Sequence, residues 1–202
     1  MGSEYNSTVF IVDDDQTVRH AMELLMRSVG LDYEIFHSAD DFLARFSDDK
    51  PGCLVLDIRM PGMGGLELQE KLIEMGSSLP IIFITGHGDV PMAVEAMQKG
   101  AVDFIQKPFR DQDLLDRIGE ALKTDQDRRS EREAHAEVQG RIGRLTNRER
   151  EVLDLVVTGK PNKVIAYELG VSQRTVEIHR ARVMEKMQAR SLADLVRMHM
   201  AA

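Results

Sequence analysis

The chain has 202 residues, enough for one large domain or two smaller ones, and 43% of them are hydrophobic, which is sufficient for a buried core. A single cysteine excludes a disulfide framework, and no apolar run approaches the roughly 18 residues of a membrane span, so we expect a cytoplasmic protein. The net charge of −8 is uneven, because residues 140–202 contain 12 Lys and Arg against 7 Asp and Glu while the rest is strongly acidic. Neutralisation of nucleic-acid phosphates needs Lys and Arg, so this basic segment is predicted to bind nucleic acid.

The chain up to residue 122 alternates between short apolar runs and helical patterns. Strands are predicted at residues 8–12, 33–36, 53–56, 80–84 and 102–105, and helices at residues 17–29, 39–46, 66–75, 90–98 and 111–122. Parallel strands need crossover helices that cover both faces of the sheet, so the pattern predicts a doubly wound, five-stranded parallel α/β sheet. The carboxyl ends of such strands open onto a ligand crevice.

The residues that follow these strands form a candidate site. They are Asp13, Asp14 and Asp15 after the first strand, Asp57 after the third, Thr85 after the fourth and Lys107 after the fifth. Taken alone, Asp57 fits a polar strand end equally well. Clustered carboxylates repel one another, however, and a hard divalent cation such as Mg²⁺ relieves this repulsion. Lys107 then supplies a charge for a phosphoryl group, Thr85 a hydroxyl, and Asp57 a nucleophile that can form an aspartyl phosphate.

This ordered set of residues, with Pro108 after Lys107, resembles the receiver domain of bacterial two-component response regulators over residues 8–124. The resemblance implies the flavodoxin-like strand order 2-1-3-4-5. It also implies that Asp57 is the phosphoacceptor, that Asp14, Asp57 and the backbone carbonyl of Arg59 bind Mg²⁺, and that Asp13 assists through water.

The same resemblance assigns further roles. Thr85 and Lys107 would bind phosphoryl oxygens, Phe104 would be the aromatic switch residue of the fifth strand, and the Lys107–Pro108 peptide bond would be cis. We expect Asp15 to be an acid at a helix N-terminus, which the helix dipole favours. His87 is expected to be an ordinary loop residue, because no second His or Cys is spaced to form a metal site with it.

We assign residues 1–124 to the receiver domain, 125–143 to a charged linker and 144–202 to a second domain. The linker is rich in helix-forming residues, so it can extend the preceding helix or form a flexible tether. In the second domain, Thr146 and Glu149 form a capping box, a second helix starts at Pro161, Ser172 caps a third helix that ends near Gln188, and residues 191–200 form a fourth. A short Gly-containing turn before the Arg-rich third helix describes a helix-turn-helix.

The third helix of this domain has two faces. Val176, His179, Val183 and Met187 recur at helical spacing and should pack inward. The opposite face should enter the DNA major groove. Its candidate contact residues are Arg174, Thr175, Glu177, Ile178, Ala181 and Arg182, with Arg180 and Lys186 as flanking phosphate anchors. Each of them is equally compatible with a solvated side chain or a contact to phosphate alone.

The second domain resembles the LuxR-type DNA-binding domain found in regulators of the FixJ/NarL family, and the resemblance is carried by residues 145–153, 162–166, 172 and 175–179. Together, the two resemblances imply a transcription factor that a sensor histidine kinase phosphorylates on Asp57, that dimerises, binds promoter DNA and contacts RNA polymerase. The fourth helix would form the dimer contact or merely close the small core. The protein would not be an enzyme beyond its own phosphotransfer and autodephosphorylation.

Two alternatives remain at this stage. One is a constitutive DNA-binding protein whose receiver serves only as a dimerisation scaffold, although the complete set of receiver residues argues against it. The other is a metal-dependent phosphohydrolase. That class normally needs a second acid two residues after the nucleophile, and this chain has Arg59 there.

Overall fold

Strands and helices alternate through the first part of the chain, as the sequence pattern predicts. The computed structural model describes residues 7–86 and 90–200, and the chain divides into a first unit that ends at Arg128 and a second that begins at Arg129. The predicted loop residue His87 lies outside the described residues. None of the helices within the described ranges has the length and apolarity that a membrane crossing requires.

The first unit contains five strands and the helices that connect them. The strands are β1 (Thr8–Val12), β2 (Asp32–Phe36), β3 (Gly52–Asp57), β4 (Ile81–Thr85) and β5 (Asp103–Gln106). The helices are α1 (Gln16–Val29), α2 (Ala39–Arg45), α3 (Gly65–Glu74), α4 (Val90–Gln98) and α5 (Asp111–Gly143). Apart from the C-terminal end of α5, the predicted ends of these strands and helices differ from the observed ends by at most one residue.

All strand pairs are parallel, and their order β2-β1-β3-β4-β5 confirms the predicted doubly wound sheet. Alternate side chains enter separate cores on the two faces, with Phe10 and Leu54 in one and Ile11 and Val55 in the other. Cys53 belongs to the second core, where burial raises the pKa of its thiol. Because β1 and β3 are neighbours, the residues at their carboxyl ends are brought together.

Helix α5 continues well beyond Leu122, where the apolar pattern ends. The charged segment predicted to be a linker is therefore helical up to Gly143. Asp125, which the sequence interpretation placed in the linker, is buried in the first unit, and its carboxylate accepts a hydrogen bond of 2.8 Å from the amide of Gly52. This contact fixes α5 to the start of β3.

The second unit contains the end of α5 and four further helices: α6 (Asn147–Val157), α7 (Asn162–Leu169), α8 (Gln173–Met187) and α9 (Leu192–Met200). The predicted capping box is present, since the hydroxyl of Thr146 and the carboxylate of Glu149 accept hydrogen bonds from each other's amides. Gly170 adopts a left-handed conformation with φ of 64° in the turn between α7 and α8. These features confirm the predicted helix-turn-helix.

Candidate functional site

Four charged side chains meet at the carboxyl ends of β1, β3 and β5. The Nζ atom of Lys107 lies 2.9 Å from Oδ2 of Asp13 and 2.6 Å from Oδ2 of Asp57. Carboxylate oxygens of Asp13, Asp14 and Asp57 lie within 4.8 Å of one another. We call Asp13, Asp14, Asp57 and Lys107 the acidic site. It brings together the residues that the sequence places after three different strands.

The backbone around the acidic site fixes the orientation of its carboxylates. Oδ1 of Asp57 accepts a hydrogen bond of 2.9 Å from the amide of Arg59, and Oδ1 of Asp13 accepts one of 2.8 Å from the amide of Asp15. The guanidinium of Arg19 donates to the carbonyl oxygen of Asp13 at 2.7 Å. Each of the two carboxylates therefore has one oxygen held by its own loop and the other held by Lys107.

Gly65, at the start of α3, is a residue of this site that the sequence analysis does not single out. A Cβ atom at this position would overlap with the carbonyl oxygen of Asp57 and press on the backbone of Ile58. Any larger residue must therefore displace the strand end that carries Asp57. The Gly64-Gly65 pair was the signal in the sequence, but the close approach is visible only in the fold.

Burial and ion pairing shift the pKa values of Asp13 and Lys107 in opposite directions. Desolvation raises the pKa of Asp13 above its ordinary value, even though the hydrogen bond from Lys107 acts in the opposite direction. Burial lowers the pKa of Lys107, but the hydrogen bonds and charges of Asp57 and Asp13 outweigh it and leave that pKa raised. Lys107 is therefore a firmly charged ammonium group between two carboxylates.

The ligand atoms of the acidic site are the kind that a hard divalent cation prefers. All are carboxylate oxygens, and Asp14 is exposed while Asp13 and Asp57 are buried. Mg²⁺ binds through a few carboxylates and retains several waters, so a cluster that is open to solvent on one side fits it. The residues present therefore suit the predicted Mg²⁺ site.

The remaining predicted residues of the first unit lie around this cluster. Thr85 is buried at the end of β4, and its hydroxyl is 3.5 Å from the carbonyl oxygen of Ile105, which makes a weak hydrogen bond. Phe104 on β5 is 38% exposed. Asp15 caps α1 by accepting a hydrogen bond from the amide of Thr17, which lowers the pKa of its carboxyl, in line with its expected role as a helix N-terminal acid. The Lys107–Pro108 peptide bond is cis.

The predicted DNA-binding residues lie on α8, whose inner face contains buried Val176, Val183 and Met187 and half-buried His179. The residues exposed on its outer face are Arg174, Glu177, Ile178, Ala181 and Arg182. Thr175 is half-buried beside the Ser172 cap. The side chains of Arg174 and Arg182 have no hydrogen-bond or ion-pair partner within the described part of the chain.

The two predicted anchors that flank this face make contacts within the second unit. The guanidinium of Arg180 donates to Oδ1 of Asn162 at 3.1 Å, and this neutral partner leaves its charge uncompensated. Nζ of Lys186 lies 2.6 Å from a carboxylate oxygen of buried Glu149 and 3.3 Å from the carbonyl oxygen of Arg144. The hydrogen bond from Lys186 lowers the pKa of Glu149 to about 2. The charge of Lys186 is thus used to hold α8 against α6.

Comparisons with known proteins agree with this arrangement in both units. The family model of the response regulator receiver domain matches residues 9–119, and that of the bacterial regulatory proteins of the luxR family matches residues 143–199. Nodulation protein W of Bradyrhizobium diazoefficiens is 50% identical over 94% of this chain and 84% of its own. The transcriptional regulatory protein FixJ of Rhizobium meliloti is 47% identical over 96% of this chain and 95% of its own.

Solved structures of response regulators are also similar to this chain in sequence and fold. The response regulator StyR is 46% identical, with a TM-score of 0.90 over 97% of this chain and 99% of its own. Full-length FixJ from B. japonicum is 40% identical, with a TM-score of 0.60 over 96% of both chains.

Proposed function

Because the chain belongs to the two-component response regulators with a LuxR-type DNA-binding domain, which regulate transcription, we propose that phosphorylation of Asp57 controls its binding to promoter DNA. The observation that carries this proposal is the contact of one ammonium group, Lys107, with both Asp57 and Asp13, beside a third carboxylate. This arrangement provides a nucleophile, a cation for the phosphoryl oxygens and oxygen ligands for a metal.

In the proposed reaction, the carboxylate of Asp57 attacks the phosphorus of a phosphohistidine on a sensor kinase. The P–N bond breaks, and the imidazole of the donor leaves and takes up a proton from solvent. Asp13, Asp14, Asp57 and the carbonyl of Arg59 would hold Mg²⁺, which would supply charge neutralisation for the phosphoryl oxygens. Lys107 already contacts Asp57 at 2.6 Å, so its ammonium is within reach of a phosphoryl group bound there.

The proposed readout passes through β4 and β5. The hydroxyl of Thr85 has only a weak bond to the carbonyl of Ile105, so little is lost when it turns towards a phosphoryl oxygen. The space that it leaves would admit the ring of Phe104, which is now partly exposed and has no hydroxyl to hold it outside. The altered β4–β5 surface would favour a dimer, which would place two copies of α8 in successive major grooves of an inverted repeat and contact RNA polymerase.

Phosphorylation is tested by treating the full chain with acetyl phosphate and Mg²⁺ and measuring its intact mass. We expect the wild type to gain one phosphoryl group and Asp57→Asn to gain none. Asp15→Asn is the matched control, because it removes a neighbouring charge while keeping a good helix cap, and it should be phosphorylated like the wild type. A modified Asp57→Asn protein would contradict the assignment.

The consequence for DNA is tested by measuring binding to the chain's own promoter region, with the mass in solution, before and after phosphorylation. Allosteric coupling of about 1 to 3 kcal/mol would raise the DNA affinity of the wild type roughly 5- to 150-fold and leave that of Asp57→Asn unchanged. Equal affinity of both proteins under both conditions would instead support a constitutive DNA-binding protein with a receiver scaffold.

A further inference from the structure

A polar surface pocket lies within the second unit where α8 ends and α9 begins. Its volume is about 420 Å³, and its lining includes Arg141, Arg190 and Arg197 together with Gln188, Ser191 and Asp194. We call it the arginine pocket. The lining has three guanidinium groups and one carboxylate, and Glu137 beside it pairs with Arg141, so one positive charge is in excess. Guanidinium groups match the geometry of phosphate oxygens, so the pocket suits an oxyanion.

The three arginines differ in how they are held. Arg141 is fixed by hydrogen bonds of 3.2 Å to the carbonyl oxygen of Met187 and 2.6 Å to the carboxylate of Glu137. Arg197 contacts Asp194 at 3.2 Å. The guanidinium of Arg190 has no hydrogen-bond or ion-pair partner among the residues that the structure describes. Arg141 and Arg197 therefore shape the pocket, and Arg190 offers it an uncompensated charge.

The pocket continues the outer face of α8. Gln188 follows Glu185 and the predicted DNA contact Ala181 at helical spacing, so it lies on the same side of the helix. A helix of 15 residues is about 22 Å long, whereas the major groove is about 12 Å wide. In the binding mode that we propose, α8 crosses the groove, and its C-terminal end then lies near the phosphates at the groove's border.

Lys186 was the predicted phosphate anchor near this end of α8, but its ammonium is already paired with Glu149. A phosphate contact from Lys186 would compete with this ion pair, and loss of the pair would leave a buried carboxylate without its cation, which is unfavourable. The guanidinium group of Arg190 has no ion-pair partner among the described residues. Lys186 therefore holds α8 against α6, whereas Arg190 is available to bind a ligand.

We propose that the arginine pocket binds a phosphodiester group of the DNA backbone beside the major groove that α8 occupies. This inference rests on the proposed DNA binding by α8 and extends the contact surface beyond that helix. Phosphate contacts do not depend on base sequence, so the pocket would contribute to affinity and to positioning on DNA and not to the choice of operator.

The test measures the affinity of the phosphorylated full chain for a random-sequence DNA duplex over a series of salt concentrations. Arg190→Gln should lower the affinity on the order of threefold to tenfold and reduce the slope of log affinity against log salt by about 0.9, which corresponds to one lost phosphate contact. Arg150→Gln, an equal charge change at an exposed position of α6, should leave the slope unchanged.

A second variant separates this inference from the proposed function. Arg182→Gln tests the outer face of α8 and should also weaken binding. If Arg182→Gln weakens binding and Arg190→Gln matches the Arg150→Gln control, the pocket is not a DNA contact and only this inference fails. If Arg190→Gln alone weakens binding, the pocket contacts DNA and Arg182 is not part of the interface. Calorimetric binding of inorganic phosphate, combined with an unchanged DNA slope in Arg190→Gln, would show a pocket for free oxyanions and overturn the proposal.

Discussion

The acidic site and the outer face of α8 are both charged, but they use their charges differently. In the acidic site, Lys107 contacts two carboxylates, and the loops hold the other oxygen of each. On α8, the guanidinium groups of Arg174 and Arg182 have no partner among the described residues. This difference is consistent with the proposed functions, because a reacting group must be held in position before the reaction, whereas a surface that binds a polyanion keeps its cations available until the polyanion binds.

The same distinction holds between neighbouring residues of α8. Lys186 and Arg182 are both basic and only one turn apart, but Lys186 pairs with Glu149 while Arg182 projects outward. Residue type alone therefore does not identify a DNA contact. What matters is whether another group of the protein already compensates the charge.

The largest expected effect tests the fixed geometry of the acidic site. Gly65→Ala introduces a Cβ that overlaps with the carbonyl of Asp57, so we expect the free energy of unfolding to fall by about 1 to 3 kcal/mol and phosphorylation by acetyl phosphate to slow. Urea denaturation and intact-mass kinetics measure the two quantities. In the control Gly119→Ala, the Cβ enters open space on α5 and should stabilise the helix by about 0.5 to 1 kcal/mol. Unimpaired phosphorylation of Gly65→Ala would show that the site tolerates displacement.

The next largest effect concerns Lys107, the ammonium group of the acidic site. Lys107→Met removes the ammonium group that partly neutralises Asp13 and Asp57, so the three carboxylates should bind Mg²⁺ about tenfold more tightly, or by about 1.4 kcal/mol. Calorimetric titration with Mg²⁺ measures this. Lys99→Met, which removes a lysine that pairs with Glu70 and Glu95 on the surface, should leave the affinity unchanged. Unaltered or weaker Mg²⁺ binding by Lys107→Met would contradict the view that Lys107 and the metal share these oxygens.

The sequence predicts the acidic site better than it predicts the contacts of the basic residues on α8. Parallel strands align their carboxyl ends, so Asp13, Asp57 and Lys107 could be placed together from their positions after the strands. The five-stranded parallel sheet and the helix-turn-helix followed from the same kind of pattern, whereas the strand order was implied by the resemblance to the receiver domain. Our assignment of residues 125–143 to a linker remains a proposal, and the buried contact of Asp125 with Gly52 favours placing Asp125 with the receiver.

The pairing of Lys186 with Glu149 could not be predicted in this way. These residues are far apart in sequence on different helices, and helical periodicity specifies which face a residue occupies and not which partner it meets. The capping box gave Glu149 one role, and the fold gives it a second. For the same reason, the periodicity of α8 placed Lys186 beside the outer face without showing that its charge is already compensated.

A smaller effect tests this structural role of Glu149. Its pKa in the folded chain is about 2, below the ordinary 4.5, mainly because of the hydrogen bond from Lys186. The depressed pKa stabilises the fold above about pH 4.5, and this stabilisation is lost as the pH falls towards 2. Glu149→Gln should lower the free energy of unfolding near neutral pH by about 1 kcal/mol and weaken its dependence on pH in that window.

Urea denaturation of the full chain, followed by circular dichroism at several pH values, measures this change. The control is Glu151→Gln, which removes an exposed carboxylate that pairs with Arg148 and should change stability by less than about 1 kcal/mol. Equal effects of the two variants would mean that the Lys186–Glu149 pair is no more than a surface ion pair and that Lys186 is available to DNA after all.

The smallest effect concerns the backbone at the arginine pocket. Gln188 ends α8 with φ of 55°, a left-handed conformation that a side chain disfavours. Gln188→Gly should therefore raise the free energy of unfolding by about 0.5 to 1 kcal/mol, whereas Gln188→Ala removes the same polar group but keeps a Cβ and should not. Urea denaturation of the three proteins measures this difference.

If both variants also bind random-sequence DNA like the wild type, Gln188 serves only to turn the chain, and the affinity of the pocket rests on its arginines. An equal stability change in both would show instead that the side chain of Gln188, and not its backbone conformation, determines stability at this turn.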